Sequence, residues 1–238
     1  MAAAERAGPP ANEPRAATGP IVHHVVVGHP NPASFCRSMA RTYCEAVVAN
    51  GQVGDLHDLY MHSFDPLLRV EERPGPAYRL HADVAAELDR VQRSDVLVLA
   101  FPIWFGLPPA IIKGYVDRIL GAGFVTSTLS EHRPSPVLKG KRLVILSSSG
   151  TTRPWLEERG QYSGLRHAFD LYLTEIFGMT GPDRMHFDGI VPDARPDYID
   201  QCLEDVRQRT NAICADLLRL RHAERAREAM RRQGGRQP

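Results

Sequence analysis

Three short runs in this sequence hold residue types that could bind a flat, anionic ligand. The first is His29-Pro30-Asn31-Pro32-Ala33-Ser34. Ser34 stands where a helix N-cap belongs, and the amides of Phe35 and Cys36 after it have no carbonyl one turn back to bond. Orphan amides and the helix dipole together favour an anion there, with Asn31, Ser34 Oγ and His29 as additional donors. The same serine reads equally well as a helix cap and nothing more. The second run is Pro102-Ile103-Trp104-Phe105-Gly106-Leu107-Pro108-Pro109. A loop has no folding reason to expose Trp104 and Phe105, so they either pack inward as a satellite core or wall a planar aromatic ligand. Gly106 permits close approach of a ligand or backbone. The third is Ser147-Ser148-Ser149-Gly150-Thr151-Thr152, whose hydroxyls and amides could meet a polar ligand edge or form an ordinary polar turn.

Other chemistries fit less well. The first run lacks the G-x-G-x-x-G dinucleotide fingerprint and the Gly-rich phosphate loop that ends in Gly-Lys. Gly160-Gln161-Tyr162-Ser163-Gly164 sets its serine one place late for a hydrolase nucleophile elbow. There is no H-E-x-x-H, and adjacent His23 and His24 on a strand would face opposite ways, so no metal site is expected. Gly28-His29 occupies the place where a phosphate-receiver domain would carry paired acids.

The elements that must position these runs follow from apolar periodicity. Residues 21–28 (IVHHVVVG), 95–101 (DVLVLAF) and 142–149 (RLVILSSS) read as buried strands, with weaker strands at 53–59 and 184–187. Helices are expected at 35–50, 78–93, 109–120, 164–178 and, long and amphipathic, 196–232. Residues 64–76, 121–140 and 150–163 read as connections. Strands alternating with helices give a parallel sheet, and the unbroken apolar strands imply that both its faces are covered. The expected fold is therefore α/β, a doubly wound sheet of about five strands with helices on both faces. In such sheets ligands bind at the carboxyl ends of the strands, which is where all three runs stand.

Composition narrows the class. A chain of 238 residues with 43% hydrophobic side chains can bury a full core. Lys+Arg 29 against Asp+Glu 28 lacks the positive excess of a nucleic-acid protein. No apolar run reaches the ~18 residues of a membrane span. Cys36, Cys44, Cys202 and Cys214 show neither C-x-x-C nor zinc spacing and read as reduced thiols of a cytoplasmic protein. Residues 1–19 are Ala/Pro-rich and read as a disordered tail, residues 20–220 as one domain, and residues 221–238 as a basic helix end and tail.

Together the runs resemble a known family. Gly28-His29-Pro30-Asn31-Pro32-Ala33-Ser34-Phe35 is similar to the H-x-x-P-x-S-F-N opening of the flavodoxin-like NAD(P)H:quinone oxidoreductases. The stretch from Phe101 through Trp104, Phe105, Gly106 and Lys113-Gly114-Tyr115 to Asp117-Arg118 resembles that family's F-P-x-x-W-F-G…K-G-W-x-D-R segment. Asp58-Leu59-Tyr60 with Phe64-Asp65-Pro66 resembles its D-L-Y-x-x-x-F-x-P element. The likeness spans about residues 21–190.

The resemblance implies a flavin, FMN slightly ahead of FAD, reduced by NADPH or NADH and reoxidised by a quinone, azo or nitro compound in a ping-pong cycle. It implies that His29, Asn31, Ser34, Phe35 and Cys36 hold phosphate and ribityl groups. Pro102, Ile103, Trp104, Phe105 and Gly106 would run along the ring, and Ser148, Ser149 and Gly150 would meet its polar edge. Relatives carry a Tyr and a His that steady the reduced ring; Tyr162 and His167 are the candidates here, and a homodimer is expected. The chain departs from the family at Cys36, at Ser147–Gly150 and in residues 151–163, which carry Arg153, Trp155 and Arg159. The competing readings are an electron-carrier or non-catalytic flavoprotein serving as a partner subunit, and a pathway enzyme dedicated to one polycyclic quinone.

Overall fold

The computed structural model describes residues 19–73, 77–122 and 137–234. Five strands, β1 (Val22–Val27), β2 (Val53–Asp58), β3 (Val96–Pro102), β4 (Arg142–Ser148) and β5 (Thr180–Phe187), form one parallel sheet in the order β2-β1-β3-β4-β5. The expected doubly wound, flavodoxin-like fold is the observed one. The order reverses between β1 and β3, which opens a crevice at their carboxyl ends.

Helix α1 (Phe35–Ala49) follows β1, α2 (Ala82–Arg93) follows β2, and α3 (Ala110–Tyr115) continues through a π-helical stretch to Leu120. After β4 comes a short α4 (Arg153–Glu158). Helix α5 runs in three stretches, Gln161–Leu165, Arg166–Leu171 and Tyr172–Phe177. Helix α6 (Pro196–Gly234) closes the chain.

Alternation along the strands divides the core between two faces. Leu97, Leu99 and Phe101 of β3 pack with α2, α3 and α5. Val96, Val98 and Ala100 pack with α1 and α6. Each β3 and β4 side chain after Arg142 is buried, the pattern of a sheet covered on both sides. Close approach matters at two glycines. A Cβ on Gly28 would stand 2.5 Å from Ile112 Cγ1, and one on Gly114 2.3 Å from the Pro66 carbonyl oxygen. Glycine at both places lets α3 lie against the end of β1 and against the 64–66 loop.

Three expectations are corrected. Residues 150–163 are partly helical, because Thr152 and Pro154 start a turn that Gly160, at φ +67°, ends. The helix expected from 164 starts at Gln161, and β5 starts at Thr180, four residues early. Most of the expected N-terminal tail (residues 1–18) and the middle of the 121–140 connection lie outside the described residues.

Candidate functional site

Ser34 caps α1 as expected: it is buried, its Oγ accepts from the Arg37 amide at 3.3 Å, and its own amide donates to the Asn31 carbonyl at 3.1 Å. Asn31 Oδ1 accepts from the Ala33 amide at 2.9 Å. His29 Nδ1 accepts from the Asn31 amide at 3.0 Å, so a neutral His29 carries its proton on Nε2; burial lowers its pKa and favours that form. These bonds fold residues 29–34 into a tight turn that presents the first amides of a 15-residue helix. Phe35 packs edge-on against Phe187, with ring centroids 5.8 Å apart. Cys36 is expected to offer its backbone amide, and its side chain turns inward. Its thiol is buried, sits 3.3 Å from Ser148 Oγ and is pushed up to about 11 by burial, so only its backbone faces the helix start.

The second run forms a two-residue hairpin. Trp104 and Leu107 exchange both backbone bonds at 3.0 Å, and the two residues between them have positive φ, +51° at Phe105 and +81° at Gly106. Those signs are the turn type that suits the twist of flanking strands. Glycine adopts them freely; phenylalanine in the left-handed region costs roughly 1–2 kcal/mol. Phe105 is nonetheless fully exposed, and Trp104 is 40% exposed. The satellite-core reading of this loop is thereby excluded, because only Pro102 and Ile103 of the five pack inward.

Direct contacts join the runs. The His29 ring stands edge-on to Trp104 at 5.5 Å. The Ile103 amide donates to the Ser148 carbonyl at 2.7 Å, and Gly106 lies beside the Gln161 side chain. Ser148 and Ser149 are buried, and Gly150 is exposed. Tyr162, on the first turn of α5, is brought in: its ring lies 5.2 Å from His186, with the Arg153 and Arg184 guanidiniums over it at 4.8 and 5.3 Å. His167 is exposed on α5, with its ring held to the Ser163 carbonyl at 2.8 Å. Sequence reasoning missed the end of β5, where Arg184, His186 and Phe187 adjoin Ser147 and Ser149. The rule that picked out the other loops, inspection of strand carboxyl ends, would have found it. No cluster of metal-ligating side chains occurs among the described residues.

The donor set fits a flavin phosphate ester: a capped helix start for the phosphate, exposed aromatics for a flat ring, and an exposed glycine turn for its polar edge. A family model described as a flavodoxin-like fold matches residues 23–210. The chain is 29% identical over 168 residues to an uncharacterised NAD(P)H oxidoreductase of Haemophilus influenzae, covering 70% of this chain and 81% of that one. It is 27% identical over 146 residues to NAD(P)H dehydrogenase (quinone) 1 of Cavia porcellus, and there spans about half of each protein (53% of both). Among solved structures, an NAD(P)H:quinone oxidoreductase from Methanothermobacter marburgensis superposes with TM-score 0.69 at 24% identity, over 82% of this chain and 100% of that one; this shows a shared fold. With these matches and the residues carrying them, the chain belongs to the flavodoxin-like NAD(P)H:quinone oxidoreductase family.

Proposed function

We propose that the protein is an NAD(P)H-dependent flavin oxidoreductase that reduces quinone-like acceptors by two electrons, with FMN as the flavin and a homodimer as the working form. One observation carries this reading: a strained, fully exposed Phe105 beside Trp104, on a hairpin in contact with both a capped helix start and a glycine turn. An exposed aromatic held at positive φ is expensive unless a flat ligand covers it.

A flavin bound there would supply the two-electron redox chemistry between nicotinamide and acceptor. This chain's residues bind and orient. Ser34 and the first α1 amides would hold the phosphate, and His29 Nε2–H would be available as a donor beside them. The Trp104–Gly106 hairpin forms the wall on which ring and acceptor stack. The amides of Gly150 and Thr151 donate no hydrogen bond among the described residues and are available to the ring's polar edge. Tyr162, with Arg153 and Arg184 stacked on it, borders that edge.

The preference for FMN rests on a sequence in which no adenosine-binding stretch is identifiable. The homodimer is supported by exposed Leu67, Leu68 and Val70 near an apolar groove between α3 and α5, lined by Val116, Phe169 and Tyr172. The four cysteines are free, as suits a reducing compartment, and no helix among the described residues is long and apolar enough to cross a membrane. The partner-subunit alternative has no feature of its own in its favour.

The test is to release and identify the flavin, then retitrate the apoprotein and its Ser34→Asp variant with FMN and FAD. Aspartate caps a helix as well as serine, so the fold is kept, but it sets a second negative charge against the phosphate. At an effective dielectric near 20 two charges about 4 Å apart repel by about 4 kcal/mol, so affinity should fall by two to three orders of magnitude. Undiminished FMN binding by Ser34→Asp would remove the phosphate from this helix.

A further inference from the structure

We infer that His186, at the carboxyl end of β5, is a positioning residue: it locks the Ser149–Thr151 turn so that the Gly150 and Thr151 amides face the ring's polar edge. This rests on the flavin reading above.

With the ring neutral, the hydrogen bonds around the imidazole admit one assignment. Arg184 can only donate, and its Nη2 reaches Ser147 Oγ at 3.1 Å; the oxygen accepts, leaving the Ser147 proton for His186 Nδ1 at 3.0 Å. At the other end, Ser149 Oγ lies 2.7 Å from the Thr151 carbonyl, which can only accept, so the Ser149 proton is spent there. Ser149 Oγ must therefore accept from His186 Nε2–H at 3.2 Å. The chain runs one way, from guanidinium through Ser147, His186 and Ser149 to the carbonyl of Thr151. In a neutral ring it places the proton on Nε2. Burial, reinforced by the Arg184 charge, lowers the His186 pKa to about 4, which keeps the ring neutral at pH 7.

The chain is anchored and aimed. Arg184 Nη1 pairs with Asp170, a wholly buried residue of α5. A buried ion pair of this kind often stabilises no more than apolar filling would, but it fixes the Arg184 guanidinium in place. The chain ends on a turn whose Gly150 and Thr151 amides donate no hydrogen bond among the described residues, at the carboxyl edge of the sheet. It also changes the role expected of the serines. Ser149 Oγ is committed within the protein and Ser148 Oγ faces the Cys36 thiol, so the turn's backbone, rather than its hydroxyls, is what meets a ligand.

The test is a double-mutant cycle on FMN affinity, read by quenching of FMN fluorescence on titration of apoprotein. His186→Leu and Ser149→Ala should each weaken FMN about tenfold, and the double variant should be no weaker than either single one, because both break the same chain. His186→Gln, which keeps a donor toward Ser149, should recover most of the loss. Additive losses near a hundredfold, or wild-type affinity in His186→Leu, would overturn the inference. Nitrogen-15 NMR of the unaltered protein covers the case of a variant that does not fold. It should show His186 protonated on Nε2 alone at pH 7, and the other tautomer or an imidazolium would overturn the assignment. If the unaltered apoprotein binds neither FMN nor FAD, the flavin reading itself fails, an outcome distinct from an intact flavin site that ignores His186.

Discussion

Phe105 is held where phenylalanine is least comfortable, in the left-handed region at φ +51° with its ring in solvent. Phe105→Gly relieves that conformation and adds unfolded-state entropy of similar size, so stability should hold or rise by up to ~1 kcal/mol. Turnover with a quinone acceptor should nonetheless fall several-fold, because the stacking wall is lost. A thermal melt beside steady-state kinetics checks the pair of effects, and unchanged turnover would make Phe105 an idle tip. The sequence put Trp104 and Phe105 in a loop at a strand's carboxyl end but left open whether they faced inward. That choice depends on a turn type set by two φ angles, which apolar periodicity does not encode. The same limit applies to His23 and His24. Alternation placed them on opposite faces; their partners came only from the fold. His23 bonds Tyr43 and Gln52 and is neutral, its pKa lowered to about 4 by burial. Burial also opposes charge on His24, but hydrogen bonds to Asp55 and Glu87 outweigh it and raise its pKa.

At the scale of elements, the site exists because three βα connections end at the same edge of a parallel sheet. Their strands were legible as apolar β-branched runs, and the Ser34 cap as a serine before a helical pattern. The β5 edge was less legible. Arg184 and His186 interrupt any apolar run, and Gly181-Pro182 reads as a break, although the strand continues through it. Helix α4 was hidden because charged Arg153–Glu158 buries only Leu156 and so has no apolar stripe to detect. Helix α3 depends on Gly114. Gly114→Ala places a Cβ within 2.5 Å of Pro66 backbone atoms, which must move. Such overpacking costs about 1–3 kcal/mol, a fall in Tm of roughly 2–12 °C for a chain of this size. An unchanged melting temperature would show that the 64–66 loop is not pinned there.

For the whole molecule, buried histidines set the acid side of stability. His23 and His186 have pKa values near 4 in the fold against about 6.5 unfolded. The unfolded chain therefore binds more protons between those values, and their stabilisation is complete above pH 6.5 and is lost as pH falls toward 4. Each contributes a slope of up to roughly 1.4 kcal/mol per pH unit in that window. His24 has the opposite sign, with stabilisation that is complete below its unfolded pKa and lost as pH rises through its raised folded value. Urea unfolding should show a steep loss between pH 6.5 and 4, reduced in His23→Gln, and a flat profile there would contradict the buried neutral assignments. The central claim is a flavin that cycles on the loops of β1, β3 and β4. Its most direct test is the visible spectrum of the purified protein under anaerobic titration, first with NADPH or NADH and then with menadione. The account predicts a yellow protein that bleaches with the nicotinamide and regains its colour with the quinone. A protein that takes up neither FMN nor FAD, or whose bound flavin neither nicotinamide bleaches, would contradict it.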